Sequence, residues 1–458
     1  MFTEELSRFI TGTGYKDLPR EVVDAAKMAI LDHVGVTLAG SREPVAEIIN
    51  SLVKENEART EATVIGSGLK ASCALATLAN GTMAHALDYD DCMDFPSVAL
   101  GHPTTAIFPA TLAVGEKLNS SGRELITAYC LGMEAYIKVG LLVGEALQRG
   151  WVRTSVFGVI GAAASVAKLL GLNEANLISC FGITASLAGG ISRNFGTMVN
   201  PLHAGNAARN GVEAALLASK GFTSWRGIFE SPGGFCNIFS GSQDNISEQA
   251  MDELINSLGN PWNIISPGLM FKVYPCAHIS HFGVDAALTL RREHSIDWQQ
   301  ISEIEFRVPQ GLQGGSYRQP QTGLEGKFSP GYCLSRAFIN GSVRLRDFTD
   351  DKVNEPSIKQ LMGKINWSAL GDPTAGGIFS AQEVEVKLND GSSYTCRIEH
   401  PRGEPENPAS EEEIICKFED CSAYAQFNEK AASQIKELVL NLDEVKSVSQ
   451  LTGLIGRP

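Results

Sequence analysis

The stretch QEVEVKLNDGSSYTCRIEHP, residues 382–401, alternates apolar and polar side chains with period two and carries Asn389-Asp390-Gly391 near its middle. Period-two alternation puts one set of side chains on one face of an extended strand, and Asn-Asp-Gly supplies the turn residues of a hairpin. ISEIEFRVP, residues 301–309, repeats the pattern. Away from this region the period changes. From about residue 20 to 260 apolar side chains recur at helical spacing, as in EVVDAAKMAILDHVGVTLAG, GAAASVAKLLGL and NAARNGVEAALLASKGF. Ala and Gly on so many faces let helix axes approach closely, which predicts a dense bundle. Helical spacing resumes at EEEIICKFEDC and AASQIKELVLNL. The pattern predicts a mainly α protein with an α+β part: a large all-helical domain from residues 1–268 and 401–458, and a smaller α+β domain, 269–400, inserted into it.

The 458 residues are 43% hydrophobic, enough for a large core, and carry 38 basic against 52 acidic side chains, a formal charge of -14. Nucleic acid and anionic membranes call for a basic face, so neither is an expected partner. A small anion is still admissible, because a few local cations outweigh the mean charge within a Debye length of about 8 Å. Ten cysteines are scattered without a CxxC pair, and the acidic, amphipathic MFTEELSRFI does not read as a leader. Reduced thiols in a cytoplasm are the expectation. Phe95 to Gly115 lacks Asp, Glu, Lys and Arg, yet Pro96, Pro103, Pro109 and His102 suit a buried, broken helix better than a membrane span.

Polar chemistry concentrates in AHALDYDDCMDFPSVALGHP, residues 84–103, with His85, Asp88, Asp90, Asp91, Asp94 and His102. On a helix, His85, Asp88 and Asp91 or Cys92 would share a face, a geometry open to a divalent metal, to proton transfer or to solvated carboxylates. The cluster runs into an uncharged stretch, where desolvation perturbs acids and bases, and His102 is its best general acid or base. MFKVYPCAHISHFGVDAAL, residues 270–288, offers Lys272, His278 and His281 at the expected domain junction, suited to a carboxylate-rich substrate. GGISRNFGTMVNPLHAGNAARNG, residues 189–211, offers backbone NH groups to an anion, and QTGLEGKFSPGYCLSRAF, residues 321–338, supplies Lys327 and Tyr332 as oxyanion donors.

Together these blocks resemble the MmgE/PrpD family. The carriers are ILDHVGVTLAG, NGTMAHALDYDD with GHPTTAIFPATLAVGE, FGVIGAAASVAKLLGL, PLHAGNAARNGVEAALLA, FKVYPCAHISH and GLEGKFSPGYCLSRA, in order over nearly the whole chain. The resemblance implies a helical domain with an α+β lid, a homodimer, no cofactor and no required metal, and it favours proton transfer at the opening cluster. It places catalytic roles on Asp88, His102, Lys272 and Tyr332: His102 moves the proton, Asp88 orients it, and Lys272 and Tyr332 hold a carboxylate and its developing oxyanion. Cys92 stands where the family's decarboxylases have threonine, Val152 where they have histidine and Asn200 where they have lysine. His278 sits one place late. Arg153 and Arg193 are candidate replacements for the lost cations. Cys92, Asn200, His278, His281, Arg193 and Lys327 are the substrate-binding candidates.

Known family activities make or discharge negative charge on a carbon next to a carboxylate. The expected function is a metal-independent lyase, dehydratase or decarboxylase, on a small di- or tricarboxylate. An epimerase of a dicarboxylate such as iminodisuccinate is the alternative, with His278, His281 or Cys92 as second proton carrier. A carboxylate-binding protein without catalysis is the third possibility.

Overall fold

The computed structural model describes residues 1–56, 59–95, 98–144, 150–241, 247–310, 318–370 and 379–457. The chain divides into two compact units: Met1–Met93, Leu100–Leu269 and Ser410–Pro458 form the first, and Asp94–Ala99 with Met270–Ala409 form the second. The 401–409 segment and residues 94–99, expected in the helical part, thus go with the second unit.

The first unit is built on α1 (Arg20–Gly40), α2 (Cys73–Ala84), α3 (Pro103–Leu118), α4 (Gly122–Val143), α5 (Arg153–Leu169) and α6 (Val199–Ser219). Their starts follow from local chemistry. Ser121 and Glu124 close a capping box on α4, Ser72 caps α2, and Pro103 occupies the first turn of α3, where its missing N–H costs nothing. The small residues allow the predicted close crossings. A Cβ added to Gly81 on α2 would lie 2.8 Å from the Gly205 Cα on α6, and one added to Gly161 on α5 would lie 2.8 Å from the Gly132 carbonyl on α4. Helix α4 is long and apolar enough to cross a membrane, but 94% of its most apolar window is buried among the other helices.

The second unit holds a four-stranded sheet of β1 (Ile301–Val308), β2 (Ile365–Ala369), β3 (Gln382–Leu388) and β4 (Ser393–Ile398), ordered β2-β1-β3-β4. β1 and β2 are parallel; β1 with β3 and β3 with β4 are antiparallel. The hairpin at Asn389–Gly391 forms where the turn residues predicted it, with Gly391 in the left-handed region at φ 89°. The inward set Ile304, Phe306, Val384 and Val386 packs with α7 (His278–His294) and α8 (Pro330–Asn340) through Val284, Leu290, Leu334 and Phe338. Burying one such side chain stabilises by about 1.5–3 kcal/mol, so the alternation selects the register.

Candidate active site

Helix α2 stops at Ala84, and residues 85–93 form a loop that returns the chain to His102 at the head of α3. The shared helical face expected for His85, Asp88 and Asp91 therefore does not exist. Asp88 takes a left-handed conformation, φ 50°, which Asp tolerates better than most residues, and turns the loop so that its carboxylates converge. His85 Nδ1 lies 3.0 Å from the Asp90 carboxylate, and His102 Nδ1 lies 3.0 Å from the same group. The two rings are 4.5 Å apart. His102 Nδ1 is also 2.9 Å from the Asp91 carbonyl, which can only accept, so this nitrogen carries the proton. Nε2 is then the nitrogen that bears the lone pair. Asp88 Oδ1 lies 3.8 Å from it, beyond hydrogen-bonding distance, so the carboxylate in hydrogen-bond contact with the ring is Asp90 rather than the expected Asp88.

Electrostatics agree with this assignment. Burial alone would push the Asp90 carboxyl up, but the charges and hydrogen bonds of His85 and His102 outweigh it and hold it well below the usual carboxylate range. Asp91 goes the other way. Burial, reinforced by the charges of Asp32 and Asp90 and opposed by the Thr104 hydroxyl, pushes it up to about 7. Thr104 donates to Asp91 and lies 2.6 Å from the Tyr129 hydroxyl, which roots the loop in α3 and α4. Lys417, on the helix Glu411–Tyr424, reaches in from the C-terminal segment. Its ammonium is 2.6 Å from Asp32 and donates at 2.6 Å to the carbonyl of Tyr89, between Asp88 and Asp90 in the chain.

Two further buried histidines belong to this neighbourhood. His203 on α6 has its pKa lowered by burial and then by the charge of His85, and its Nδ1 meets no partner among the described residues. His33 on α1 has neither ring nitrogen partnered among the described residues; burial pushes it down to about 3, against the pull of Asp90. Among the sequence candidates in this unit, Cys92 is buried at the loop's end, Asn200 is buried in the first turn of α6 with Oδ1 unpartnered among the described residues, and Arg193 is exposed in the turn Ser192–Asn194.

In the second unit Lys272, His278, His281, Lys327 and Tyr332 are all buried. Lys327 donates at 3.0 Å to the Pro275 carbonyl and sits over the Phe348 ring, bracing the turn before α7. His281 Nε2 is 3.3 Å from the Cys276 carbonyl, and His278 Nε2 is 2.8 Å from Glu404. The Tyr332 hydroxyl donates to the Asp347 carbonyl and accepts at 3.0 Å from Arg336 Nε. With both directions used inside the unit, it is not the free oxyanion donor the sequence suggested.

His85, Asp88, Asp90 and His102 could between them hold a divalent cation, since one ligand atom from each lies within 4.8 Å of the others. Both Nδ1 atoms face the Asp90 carboxylate at N–H···O distance, an arrangement that leaves the Nε2 atoms to offer a lone pair to a metal or to a proton. The same set forms a hydrogen-bonded cluster in which one carboxylate faces two imidazoles. The structure adds His85, Asp90 and His203 to this neighbourhood, although the sequence assigned none of them a role; only the proximity of His85 and Asp90 to Asp88 hinted at two of them.

Residues 4–247 match the MmgE/PrpD N-terminal domain and residues 274–444 match the MmgE/PrpD C-terminal domain. The chain belongs to the MmgE/PrpD family and is an enzyme of it. Curated relatives include proteins named cis-aconitate decarboxylase from Aspergillus terreus, 28% identical over 477 residues, and from Homo sapiens, 27% identical over 469 residues. Each alignment takes in 100% of this chain, with 96% and 95% of the respective relative. A mouse protein of the same name is 26% identical over 472 residues. These matches support a lyase.

Proposed function

We propose that this enzyme acts on a small di- or tricarboxylate by proton transfer at a carbon next to a carboxylate, with Nε2 of His102 carrying the proton and no metal required. The single observation that carries this is the fixed tautomer of His102, with Nδ1 held by the Asp90 carboxylate and the Asp91 carbonyl. An imidazole so held can take a proton at Nε2 while Asp90 offsets the charge that forms. Anion binding reinforces it: with both imidazoles neutral, Asp88 and Asp90 would repel a carboxylate, whereas protonated rings cancel them. Lys272 is assigned to a substrate carboxylate.

Decarboxylation is the first activity to test, because relatives along the full length carry that name. In that reaction the bond to CO2 breaks, its electron pair stays on carbon, and a protonated group delivers the hydrogen. Val152 and Asn200 stand where the family's decarboxylases have a histidine and a lysine, which keeps dehydration and epimerisation on the panel. Purified enzyme is incubated with cis-aconitate, hydroxy di- and tricarboxylates and iminodisuccinate while product mass and solvent deuterium uptake are followed. CO2 or water loss, abolished in His102→Ala and Lys272→Ala and unaffected by a chelator, is expected. Deuterium exchange without change in composition would instead identify an epimerase. Silence across the panel, or chelator inhibition reversed by a divalent ion, overturns the proposal.

We also propose a homodimer. Ile191, Phe195, Met198 and Val199, in and just after the segment leading into α6, are 38–60% exposed, an apolar run that a second copy would cover. Light scattering after size exclusion at micromolar concentration tests this; a monomer rejects it.

A further inference from the structure

The second unit contains a buried imidazole–carboxylate pair that the sequence did not connect. His278 opens α7 and is 4% exposed; Glu404, in the loop after β4, is 1% exposed. Glu404 Oε1 lies 2.8 Å from His278 Nε2, and its other oxygen lies 2.9 Å from His400 Nδ1. Glu406 stands 3.8 Å from the same His400 nitrogen. The His278 ring stacks on Phe282 and Phe379 at centroid distances of 5.6 and 5.3 Å, which fixes its plane, and His281 meets it edge-on at 6.0 Å. Its Nδ1 has no hydrogen-bond partner among the described residues.

The loop that carries Glu404 is anchored to the helix that carries His278. Asp285 on α7 accepts from the Arg402 N–H at 2.6 Å. The Phe271 N–H donates to the Gly403 carbonyl at 3.1 Å, and Gly403 has φ 102°; any Cβ there would collide with the Phe271 carbonyl. The backbone therefore leaves Glu404 little freedom relative to the ring. An anionic carboxylate only accepts hydrogen bonds, so the nitrogen facing it must bear the proton and the opposite nitrogen must carry the lone pair. A buried polar atom left without a partner is destabilising, and a substrate proton arriving there would relieve that.

We propose that Glu404 is a positioning residue that locks His278 as the Nε2–H tautomer and so presents Nδ1 as the base of a second proton-transfer group. In the step it serves, a C–H bond beside a substrate carboxylate breaks, the electron pair stays on the carbon, and the proton goes to Nδ1; Glu404 offsets the imidazolium until the proton is returned. The catalytic use of the group rests on the carboxylate chemistry proposed above; the tautomer does not.

The test is nitrogen NMR of the full chain with labelled histidine at mildly alkaline pH, His278 being assigned by loss of its signals in His278→Gln. A protonated Nε2 and bare Nδ1 are expected in the wild type. Glu404→Gln, whose amide can face Nε2 with either oxygen or NH2, should lose that single tautomer, while Glu404→Asp should retain it. A proton on Nδ1 in the wild type, or the same tautomer in wild type and Glu404→Gln, overturns the proposal. On whichever carboxylate of the panel the wild type converts, Glu404→Gln should lower kcat on the order of 10²-fold with KM little changed; unaltered kcat overturns the catalytic half. A silent panel defeats the proposed chemistry alone, because the NMR result still decides what Glu404 does to His278.

Discussion

Nδ1 of His102 lies 3.0 Å from the Asp90 carboxylate, while Asp88 stands 3.8 Å from the ring's other nitrogen. Asp90 is thus the partner that stabilises charge on the imidazole, and it does the same for His85. Asp90→Asn should lower kcat by about 10²-fold or more and also destabilise the fold at neutral pH by about 3–5 kcal/mol, because the buried His85 and the partly buried His102 lose the carboxylate that faces both. Asp90 is held below its ordinary value when folded, so its contribution is present above the unfolded carboxyl's pKa and is lost as pH falls through the folded one. The stability gap between wild type and variant should therefore close on acidification below about pH 4. Equal melting temperatures at neutral pH would contradict the pairing.

Asp91 carries the opposite sign. Its carboxyl, pushed up to about 7 by burial and by its acidic neighbours, favours folding when protonated. Its contribution is full below the unfolded value and is lost as pH rises through about 7. Asp91→Asn, which mimics the protonated form, should flatten the dependence of melting temperature on pH between about 4 and 7 and raise stability at pH 8 by an amount on the order of 1 kcal/mol. A variant with the wild-type pH dependence would rule this out.

His33 is buried with both ring nitrogens unpartnered among the described residues, and burial holds it neutral down to about pH 3. The unfolded chain takes up this proton first, so stability is full above the unfolded imidazole's pKa and is lost as pH falls through about 3. His33→Leu should stabilise by about 1–3 kcal/mol and give its largest gain in acid, measured by urea unfolding at two pH values. Loss of stability at both would show that the imidazole is needed.

Gly81 and Gly205 meet where α2 crosses α6, with no space for a methyl group on either. Gly81→Ala and Gly205→Ala should each cost about 1–3 kcal/mol, and the double variant should cost less than the sum, since one displacement of the helices accommodates both. Strict additivity in a double-mutant cycle would deny the shared contact.

The helical and strand-bearing parts could be told apart in the sequence because their periods, 3.6 and two, leave opposite signatures, and the frequent Ala and Gly anticipated close helix crossings, of which that at Gly81 is one. The site was legible only where its groups are close in sequence. His102 stood out as a candidate acid or base at the edge of an uncharged helix, but the carboxylate that holds its ring, Asp90, depends on a loop whose course turns on the left-handed Asp88, and the family resemblance pointed to Asp88 instead. Glu404 lies 126 residues from His278 and Lys417 lies 328 residues from Tyr89, and no local pattern links either pair. Tyr332 shows the converse error: a phenol in a promising block whose hydroxyl is used by Asp347 and Arg336.

Lys417 sets an order of events during synthesis. The ammonium that holds the Tyr89 carbonyl and pairs with Asp32 belongs to a helix translated more than three hundred residues after the loop it braces. A nascent chain halted at Ala409 would already contain every histidine and aspartate of the cluster, but loop 85–93 would lack the cation beneath it. The chain must therefore be made through the helix Glu411–Tyr424 before the centre can settle, and Lys417→Ala should weaken the enzyme from a distance.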